Sequence, residues 1–225
     1  MDLYKYETHL HTSEASACAT YSGAEQVRSY KEAGYEGIFV TDHFFNGNTA
    51  IPRNLSWEER INRFCKGYEN AKQEGDRIGL SVFLGWEVNY QCTEFLIYGL
   101  DKDWLLHHPD ILSWSLKEHY DKVKAAGGFV VHAHPFRERE YIKEIRLFPE
   151  LTDAVEVFNV GNQNEEFDRR ALAYANKHKL PMTAGTDAHG KTKLHSGMSF
   201  RTKLIDDKDF ISKVQNGEYE LLPPS

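Results

Sequence analysis

Imidazole and carboxylate side chains follow most of the short apolar runs in this sequence. Such side chains supply the nitrogen and oxygen donors that bind Zn²⁺, Mn²⁺ and Fe²⁺ in proteins. The runs end in the following residues: His9 and His11, Asp42 and His43, Glu87, His132 and His134, Asn159, and Asp187 with His189. Each motif alone also occurs in surface loops, but their common position after an apolar run predicts one shared metal site.

The apolar runs alternate with helical patterns along the whole chain. The predicted strands are Leu3–His11, Gly37–Thr41, Leu80–Gly85, Phe95–Tyr98, Phe129–Val131, Ala154–Phe158 and Pro181–Ala184. The predicted helices are Ala24–Ala33 with Ser22 as N-cap, Ser56 to about Glu74, Ser115–Ala126, Glu165–His178 and Asp207–Asn216. This alternation predicts an α/β protein with parallel βαβ units, either as an open doubly wound sheet or as a closed barrel. In both architectures functional sites lie at the carboxyl ends of the strands.

Spacing within the motifs favours convergence of their side chains. Residues two apart on a strand point to the same side, so His9 and His11 should face one centre. The same holds for Asp187 and His189 if the strand geometry continues that far. Glu87 has two carboxylate oxygens and is well placed to bridge two ions.

Composition restricts the class of protein and of partner. The 225 residues are 40% hydrophobic, which predicts one domain, 1–225, with a substantial core. There are 27 basic and 34 acidic residues, so the net charge of −7 argues against binding of long nucleic acid. A small phosphorylated substrate held through metal ions remains compatible with this charge.

The cysteines and the apolar segments predict a cytoplasmic location. Cys18, Cys65 and Cys92 are widely spaced and odd in number, which is typical of reduced thiols rather than of a disulfide framework. No apolar run approaches the roughly 20 residues that cross a bilayer, and the first residues lack the apolar segment of a secretory signal. We therefore expect no membrane partner.

The motifs together resemble those of one known family. They are His9-Leu10-His11-Thr12, Thr41-Asp42-His43, Gly85-Trp86-Glu87, Ala133-His134-Pro135 and Gly185-Thr186-Asp187-Ala188-His189, in this order. In this respect the sequence resembles the PHP family, named for polymerase and histidinol phosphatase, over most of its length. The resemblance implies a distorted (β/α)7 TIM-like barrel with two or three divalent ions, Zn, Mn or Fe, at its C-terminal face.

The resemblance also implies which residues bind these ions. The sets are His9, His11, Glu87 and Asp187 for a first ion, Glu87 and His134 for a second, and His43 and His189 for a third. Two positions depart from the commoner family pattern. Glu94 stands where many members have a histidine, and Glu14 is the one candidate ligand that we identify after the first motif. We include both carboxylates among the predicted ligands.

The implied function is hydrolysis of a small phosphate ester by metal-activated water. Clustered ions polarise phosphoryl oxygens and lower the pKa of a bound water to about 7. His189 or His43 would orient the water or protonate the leaving group. Arg137 would bind the phosphate, because a guanidinium pairs with two phosphate oxygens. His195 and Arg201 are further candidates for contact with the substrate.

Three other functions are compatible with the sequence. A metal-dependent nuclease or oligonucleotide phosphodiesterase would use the same ligands on a different substrate. An amidohydrolase-type enzyme also opens with a His-x-His motif, but it often bridges its metals with a lysine, and Glu87 takes that position here. A non-catalytic metal-binding domain would bind the ions without turnover.

Overall fold

The computed structural model describes residues 3–191 and 195–225, and within these residues the strands form one continuous mixed sheet. The strands are β1 (Tyr4–Leu10), β2 (Gly37–Val40), β3 (Ser81–Tyr90), β4 (Thr93–Tyr98), β5 (Phe129–Ala133), β6 (Ala154–Asn159), β7 (Met182–Gly185), β8 (Gly197–Phe200) and β9 (Glu220–Leu222). Their order in the sheet is β7-β6-β5-β4-β3-β2-β1-β8-β9.

The sheet curls into a nearly closed barrel, as predicted. β1, β2 and β3 are parallel, and so are β5, β6 and β7. The barrel approaches closure where the end of β7 meets β1. There the Asp187 N–H donates to His9 O at 2.7 Å, and the His11 N–H donates to Ala188 O at 2.9 Å. These two bonds also bring the first and last predicted metal-binding motifs together.

The expectation of parallel units throughout the chain does not hold for β4. It runs antiparallel to both β3 and β5. β3 is longer than predicted and ends in a hairpin, in which Gln91 and Cys92 have φ values of 52° and 66°. Positive φ at both central residues is what a type I′ hairpin turn requires, yet neither residue is a usual turn former. This explains why the sequence did not indicate the hairpin.

The helices lie between the strands and begin at well-defined caps. They are α1 (Gly23–Glu32), α2 (Trp57–Phe64), α3 (Lys66–Ile78), α4 (Lys102–Leu106), α5 (Leu116–Ala125), α6 (Glu165–His178) and α7 (Asp207–Asn216). Ser22 and Ser56 form the predicted N-caps, each within a capping box. The helix predicted from Ser56 to Glu74 is two helices, divided at Cys65. Among the described residues, no helix is both long and apolar enough to cross a membrane.

The division at Cys65 lets α3 pack closely against α1. A Cβ atom on Gly23 would lie 2.1 Å from the carbonyl oxygen of Gly67, so both helices meet at positions without side chains. A Cβ atom on Gly67 would lie 2.0 Å from Thr12 Oγ1. The start of α3 therefore abuts the loop that follows the His9-x-His11 motif and restricts its position.

An aromatic cluster fills the barrel on the side of the strand beginnings. The ring centroids of Phe39 and Phe83 are 4.7 Å apart, and Phe210 of α7 lies 4.5 Å from Phe39. Tyr98 lies 5.3 Å from Phe210, and its hydroxyl donates to Thr8 O at 2.7 Å. This apolar end supports the polar end, where the predicted ligands lie.

Candidate metal centre

The predicted ligands of the first ion converge at the carboxyl edge of the strands. Nε2 of His11 lies 3.0 Å from Asp187 Oδ1, and Nε2 of His9 lies 3.4 Å from the same oxygen. The two imidazole Nε2 atoms are 3.2 Å apart. Glu87 Oε1 is 3.3 Å from His9 Nε2. The structure thus brings together all four residues that the resemblance assigned to one ion.

Glu87 lies between this group and a second group. Its Oε1 is also 3.3 Å from His134 Nε2, and its Oε2 is 2.6 Å from His43 Nδ1. Glu87 is inside β3, at the point where β3 leaves β2 and begins to pair with β4. Glu94 of β4 reaches the same group, since its Oε2 lies 3.6 Å from His134 Nε2. Glu87 therefore contacts ligands on both sides, as a bridging carboxylate would.

A third group is formed by imidazoles. Donor atoms of His11, His43 and His189 all lie within 4.8 Å of one another. The Nε2 atoms of His43 and His189 face each other at 3.5 Å. The Nδ1 atom of His189 lies 2.8 Å from Asp187 O and must carry the proton there, because a carbonyl oxygen only accepts. Its Nε2 is therefore free to bind an ion.

Three donor atoms in these groups lie close to other donor atoms without a hydrogen bond. Within the described residues, Glu87 Oε2, Asp187 Oδ1 and His43 Nδ1 are buried and make no contact with hydrogen-bond geometry, despite distances as short as 2.6 Å. Buried polar atoms in native proteins are nearly always hydrogen-bonded, and the exceptions need an explanation. Imidazole nitrogens and carboxylate oxygens that point at a common centre are suited to bind a divalent cation there.

Charge at the site also favours cations. Burial opposes ionisation of Glu87, but the charge of His43 and the imidazole contacts hold its pKa well below the usual value. Burial likewise opposes ionisation of Asp187, but His9 and Arg137 hold its pKa well below normal. Both carboxylates therefore remain charged in a buried setting, which is the form that binds metal.

Backbone strain occurs at two of the predicted ligands. His134 has a φ of 27° and Asp187 a φ of 55°, so both adopt left-handed conformations that residues other than glycine rarely occupy. Such conformations persist only where the surrounding structure imposes them, and they concentrate at functional sites. The His134 N–H donates to Glu156 Oε2 at 3.0 Å and the Asp187 N–H to His9 O, which fixes both conformations.

Asp42 orders the loop of the first motif. Its carboxylate accepts hydrogen bonds from the Thr12 N–H and Thr12 Oγ1, both at 2.6 Å, and from Ser16 Oγ at 2.7 Å. Burial raises its pKa to about 6 despite these bonds. These hydrogen bonds connect the loop that follows His-x-His-Thr to the loop that carries Thr-Asp-His. This connection explains why the sequence contains both motifs.

Arg137 is held by buried partners beside an open cleft that Asp187 and His189 also line. Its guanidinium is buried and donates to Asp187 Oδ2 at 2.7 Å, Asn159 Oδ1 at 2.8 Å and Asn162 Oδ1 at 3.0 Å. These bonds use three of the five N–H donors of the side chain. Arg137 therefore orients Asp187, and its predicted role in binding phosphate stays a prediction. The sequence placed it near the site but did not show that buried partners would use its donors.

Several other candidate residues lie away from the metal centre. The carboxylate of Glu14 accepts hydrogen bonds from the Gly23 N–H at 3.1 Å and from Asn70 Nδ2 at 2.9 Å, so it joins the loop to α1 and α3, and it lies in none of the groups of candidate metal donors among the described residues. His132 is buried against Phe95, and burial lowers its pKa to about 3. His195 packs near Tyr30 and Tyr35. Arg201 follows β8 beside the start of β1, at the opposite edge of the sheet.

Comparison with known proteins agrees with this arrangement. A family model described as PHP-associated matches residues 165–219. An uncharacterized protein of Methanocaldococcus jannaschii is 37% identical over 137 residues, which are 58% of this chain and 48% of that protein. The match to the family model therefore covers the segment from α6 to the start of the last strand. The chain spans about half the length of the curated relative that it matches.

Solved structures of low sequence identity share the PHP fold. A two-domain protein of Bacteroides vulgatus, containing a predicted PHP-like metal-dependent phosphoesterase, has a TM-score of 0.75 and 13% identity, over 99% of this chain and 65% of that chain. A candidate metal-dependent phosphoesterase of Bifidobacterium adolescentis has a TM-score of 0.60 and 19% identity, over 93% and 95%. A lesion-specific endonuclease of Pyrococcus furiosus has a TM-score of 0.59 and 9% identity, over 99% and 58%.

Two residues at this candidate metal centre were not identified from the sequence. The first is Cys18, which lines an open cleft together with Asp187 and His189. Burial raises its pKa, but the neighbouring His189 and His43 outweigh the effect and lower it to about 6. Cys18 lies between small residues, and its distance from His11 matches no pattern that we recognised.

The second is Glu156, which orients two of the predicted ligands. Its Oε1 lies 2.9 Å from His9 Nδ1, and its Oε2 accepts from the His134 N–H at 3.0 Å and from Asn159 Nδ2 at 2.8 Å. A carboxylate partner on Nδ1 leaves His9 Nε2 free for a metal. The signal in the sequence is one charged residue within the apolar β6, because a buried charge requires partners.

We expect Glu156→Gln to weaken metal binding by about 10- to 100-fold, as is typical when the partner of a metal-binding histidine is lost. The amide can still donate or accept but no longer holds His9 through a charged hydrogen bond. Competition with a chromophoric chelator measures the affinity. Glu150→Gln, at an exposed carboxylate ahead of β6, is the matched control and should bind like the unaltered protein. Equal affinities of the two variants would remove Glu156 from the positioning role.

Proposed function

We propose that this chain is a metal-dependent phosphoesterase that hydrolyses a small phosphate ester at a site with two or three divalent ions. The observation that carries the proposal is the convergence of donor groups that share residues. His9 belongs both with His11 and Asp187 and with Glu87 and His134. Shared ligands place neighbouring ions close together, which suits displacement at phosphorus because both the attacking and the leaving oxygen need stabilisation.

The ions would supply polarisation of the phosphoryl oxygens and a water of lowered pKa. The chain itself holds the ligands in place: Glu156 fixes His9, Arg137 fixes Asp187, and Asp187 O fixes the proton of His189 on Nδ1. Proton transfer by His189 or His43 stays a prediction, since the Nε2 atoms of these residues are also arranged to bind an ion.

An open cleft gives access to the centre. Its volume is about 500 Å³, and Cys18, Asp187, His189, Gly161 and Lys191 are among the residues that line it. This space suits a small substrate. The acidic balance of the chain supports a phosphomonoester or a short diester rather than long nucleic acid. The acidic balance and the three free cysteines are compatible with the cytoplasmic location that we propose.

The test combines metal analysis with phosphate release across a panel of phosphomonoesters and diesters. Protein supplied with Mn²⁺ or Zn²⁺ should release phosphate from at least one class of ester. The His9→Ala/His11→Ala variant should lose this activity together with bound metal, since both side chains contact Asp187 and one contacts Glu87. Turnover of the variant at the normal rate would contradict the proposal. Full metal content without turnover of any ester would favour the non-catalytic alternative.

A further inference from the structure

The reversed direction of β4 brings Glu94 to the metal centre. Glu94 is the second residue of β4, and it pairs with Asn89 near the end of β3 and with Ala133 at the end of β5. The ends of β3 and β5 lie at the edge of the barrel that carries the predicted ligands. In a strand parallel to its neighbours, the second residue would lie at the opposite edge. The hairpin between β3 and β4 therefore adds a carboxylate that a continuous βαβ pattern would not supply.

Hydrogen bonds at the hairpin fix the orientation of the Glu94 carboxylate. Asn89 Nδ2 donates to Glu94 Oε1 at 3.1 Å, and Asn89 Oδ1 accepts from the Cys92 N–H at 3.1 Å. Because Oε1 is held in this way, Oε2 is the oxygen that faces the centre, 3.6 Å from His134 Nε2. The side chain is 15% exposed. Its position is thus set by the protein, as the position of a metal ligand would be.

Glu94 completes a group of two carboxylates and one imidazole. Donor atoms of His43, Glu87 and Glu94 all lie within 4.8 Å of one another, and we call these three residues the carboxylate group. Glu87 is 1% exposed and His43 is 8% exposed, and among the described residues neither Glu87 Oε2 nor His43 Nδ1 has a hydrogen-bond partner. His134 Nε2, 3.3 Å from Glu87 Oε1, offers a further nitrogen beside them. Buried polar atoms without partners require an explanation, and an ion at this place supplies one.

The third group differs from the carboxylate group in its donor atoms. It consists of the imidazoles of His11, His43 and His189. His43 faces both groups, since its Nδ1 lies 2.6 Å from Glu87 Oε2 and its Nε2 lies 3.5 Å from His189 Nε2. A neutral imidazole has one nitrogen free to accept, so His43 can bind one of the two ions. The two carboxylates, and not His43, therefore distinguish the carboxylate group from the third group.

We propose that the centre binds two kinds of ion, with Mn²⁺ at the carboxylate group through Glu94 and Zn²⁺ at the third group. The inference rests on the proposed function, because it assumes that ions bind at this centre. Carboxylate oxygens suit Mn²⁺, whereas imidazole nitrogens suit Zn²⁺. Zn²⁺ binds more tightly than Mn²⁺ at most sites, so the selection lies in the ratio of the two affinities. This ratio is smaller at the carboxylate group, which an excess of Mn²⁺ over Zn²⁺ therefore fills with Mn²⁺.

The first test uses the unaltered protein and titration with Zn²⁺. Metal-free protein is saturated with Mn²⁺ and kept in an excess of free Mn²⁺, and metal analysis after dialysis gives the bound ions at each Zn²⁺ concentration. Replacement should occur in separate steps, with at least one Mn²⁺ per chain retained after the first Zn²⁺ has bound. Electron paramagnetic resonance should show that the retained Mn²⁺ is bound to protein. Replacement of all bound Mn²⁺ in one step would overturn the inference.

The second test changes the donor type at the carboxylate group. Glu94→His replaces a carboxylate by an imidazole and keeps a metal-binding side chain, so the number of bound Zn²⁺ ions should not fall. The affinity for the retained Mn²⁺ should fall by at least about 10-fold, the lower limit for loss of a residue that only orients a ligand. Glu150→His, at an exposed carboxylate, is the matched control and should retain Mn²⁺ as the unaltered protein does. An unchanged ratio of Zn²⁺ to Mn²⁺ affinity in Glu94→His would reject the role of Glu94.

The outcomes separate the inference from the proposed function. Protein that binds both metals and releases phosphate, with retention of Mn²⁺ unchanged in Glu94→His, would refute the role of Glu94 alone. Protein that binds neither Mn²⁺ nor Zn²⁺ would refute both. Retention of Mn²⁺ that depends on Glu94, without phosphate release from any ester, would support the inference and count against the phosphoesterase.

Discussion

Replacement of Glu87 by glutamine is expected to reduce phosphate release by about 1,000-fold, which corresponds to a loss of about 4 kcal/mol of transition-state stabilisation. Glu87 contacts His9 and His134 through one oxygen and His43 through the other. Glutamine has the same shape, but it has one oxygen and no charge, so it cannot bridge two cations. The variant should also retain fewer ions than the unaltered protein. The rate of phosphate release and metal analysis of the same preparation measure both effects.

Glu14→Gln is the matched control for this prediction. Glu14 is also a carboxylate in a loop near the centre, and the sequence made it a candidate ligand, but its bonds are to Gly23 and Asn70. The amide oxygen can accept the same hydrogen bonds. Activity and metal content should therefore stay within about twofold, since most substitutions away from functional groups have small effects. A large loss in Glu14→Gln, or full activity in Glu87→Gln, would show that the ligand set is wrongly drawn.

The ligands were predictable because the carboxyl ends of strands meet at one edge of a barrel. His9, His11, His134 and Asp187 each follow an apolar run, and no further information was needed to expect them together. Glu94 was identified by its position before the predicted strand Phe95–Tyr98 and does reach His134. The other four ligands lie on or just after β1, β5 and β7, which all run in the same direction. The prediction therefore held although β4 runs antiparallel to its neighbours, contrary to the expected parallel arrangement.

Arg137 and Glu14 show where the sequence was insufficient. A guanidinium near a histidine motif is compatible with a phosphate clamp and also with a buried ion pair. The positions of Asn159 and Asn162, more than twenty residues further along the chain, reveal the buried contacts of Arg137. The role of Glu14 depends in the same way on α3, which the sequence merged with α2. Partners that are distant in sequence determine the contacts in both cases.

Stability provides a large expected effect that does not depend on the substrate. Addition of Zn²⁺ or Mn²⁺ to metal-free protein should raise Tm by about 8 to 16 °C. An ion at about 1,000 times its Kd stabilises the folded state by about 4 kcal/mol. Each kcal/mol shifts Tm by about 2–4 °C in a chain of this size. Glu87, Glu156 and Asp187 are all at most 8% exposed, and Arg137 is the one lysine or arginine buried to this extent among the described residues. The folded protein therefore gathers buried carboxylates around common centres that the unfolded chain lacks, so an ion binds the folded state and stabilises it.

The control for the thermal prediction must separate binding at the centre from general screening by salt. KCl at matched ionic strength should shift Tm little, because buried charges are screened much less than exposed ones. His9→Ala/His11→Ala should lose most of the shift with Zn²⁺ or Mn²⁺, whereas Glu14→Gln should keep it. Far-ultraviolet circular dichroism before heating establishes that each variant is folded. If the divalent ions stabilise the double variant as much as the unaltered protein, they bind elsewhere, and the gathering of buried carboxylates and imidazoles at this edge has another cause.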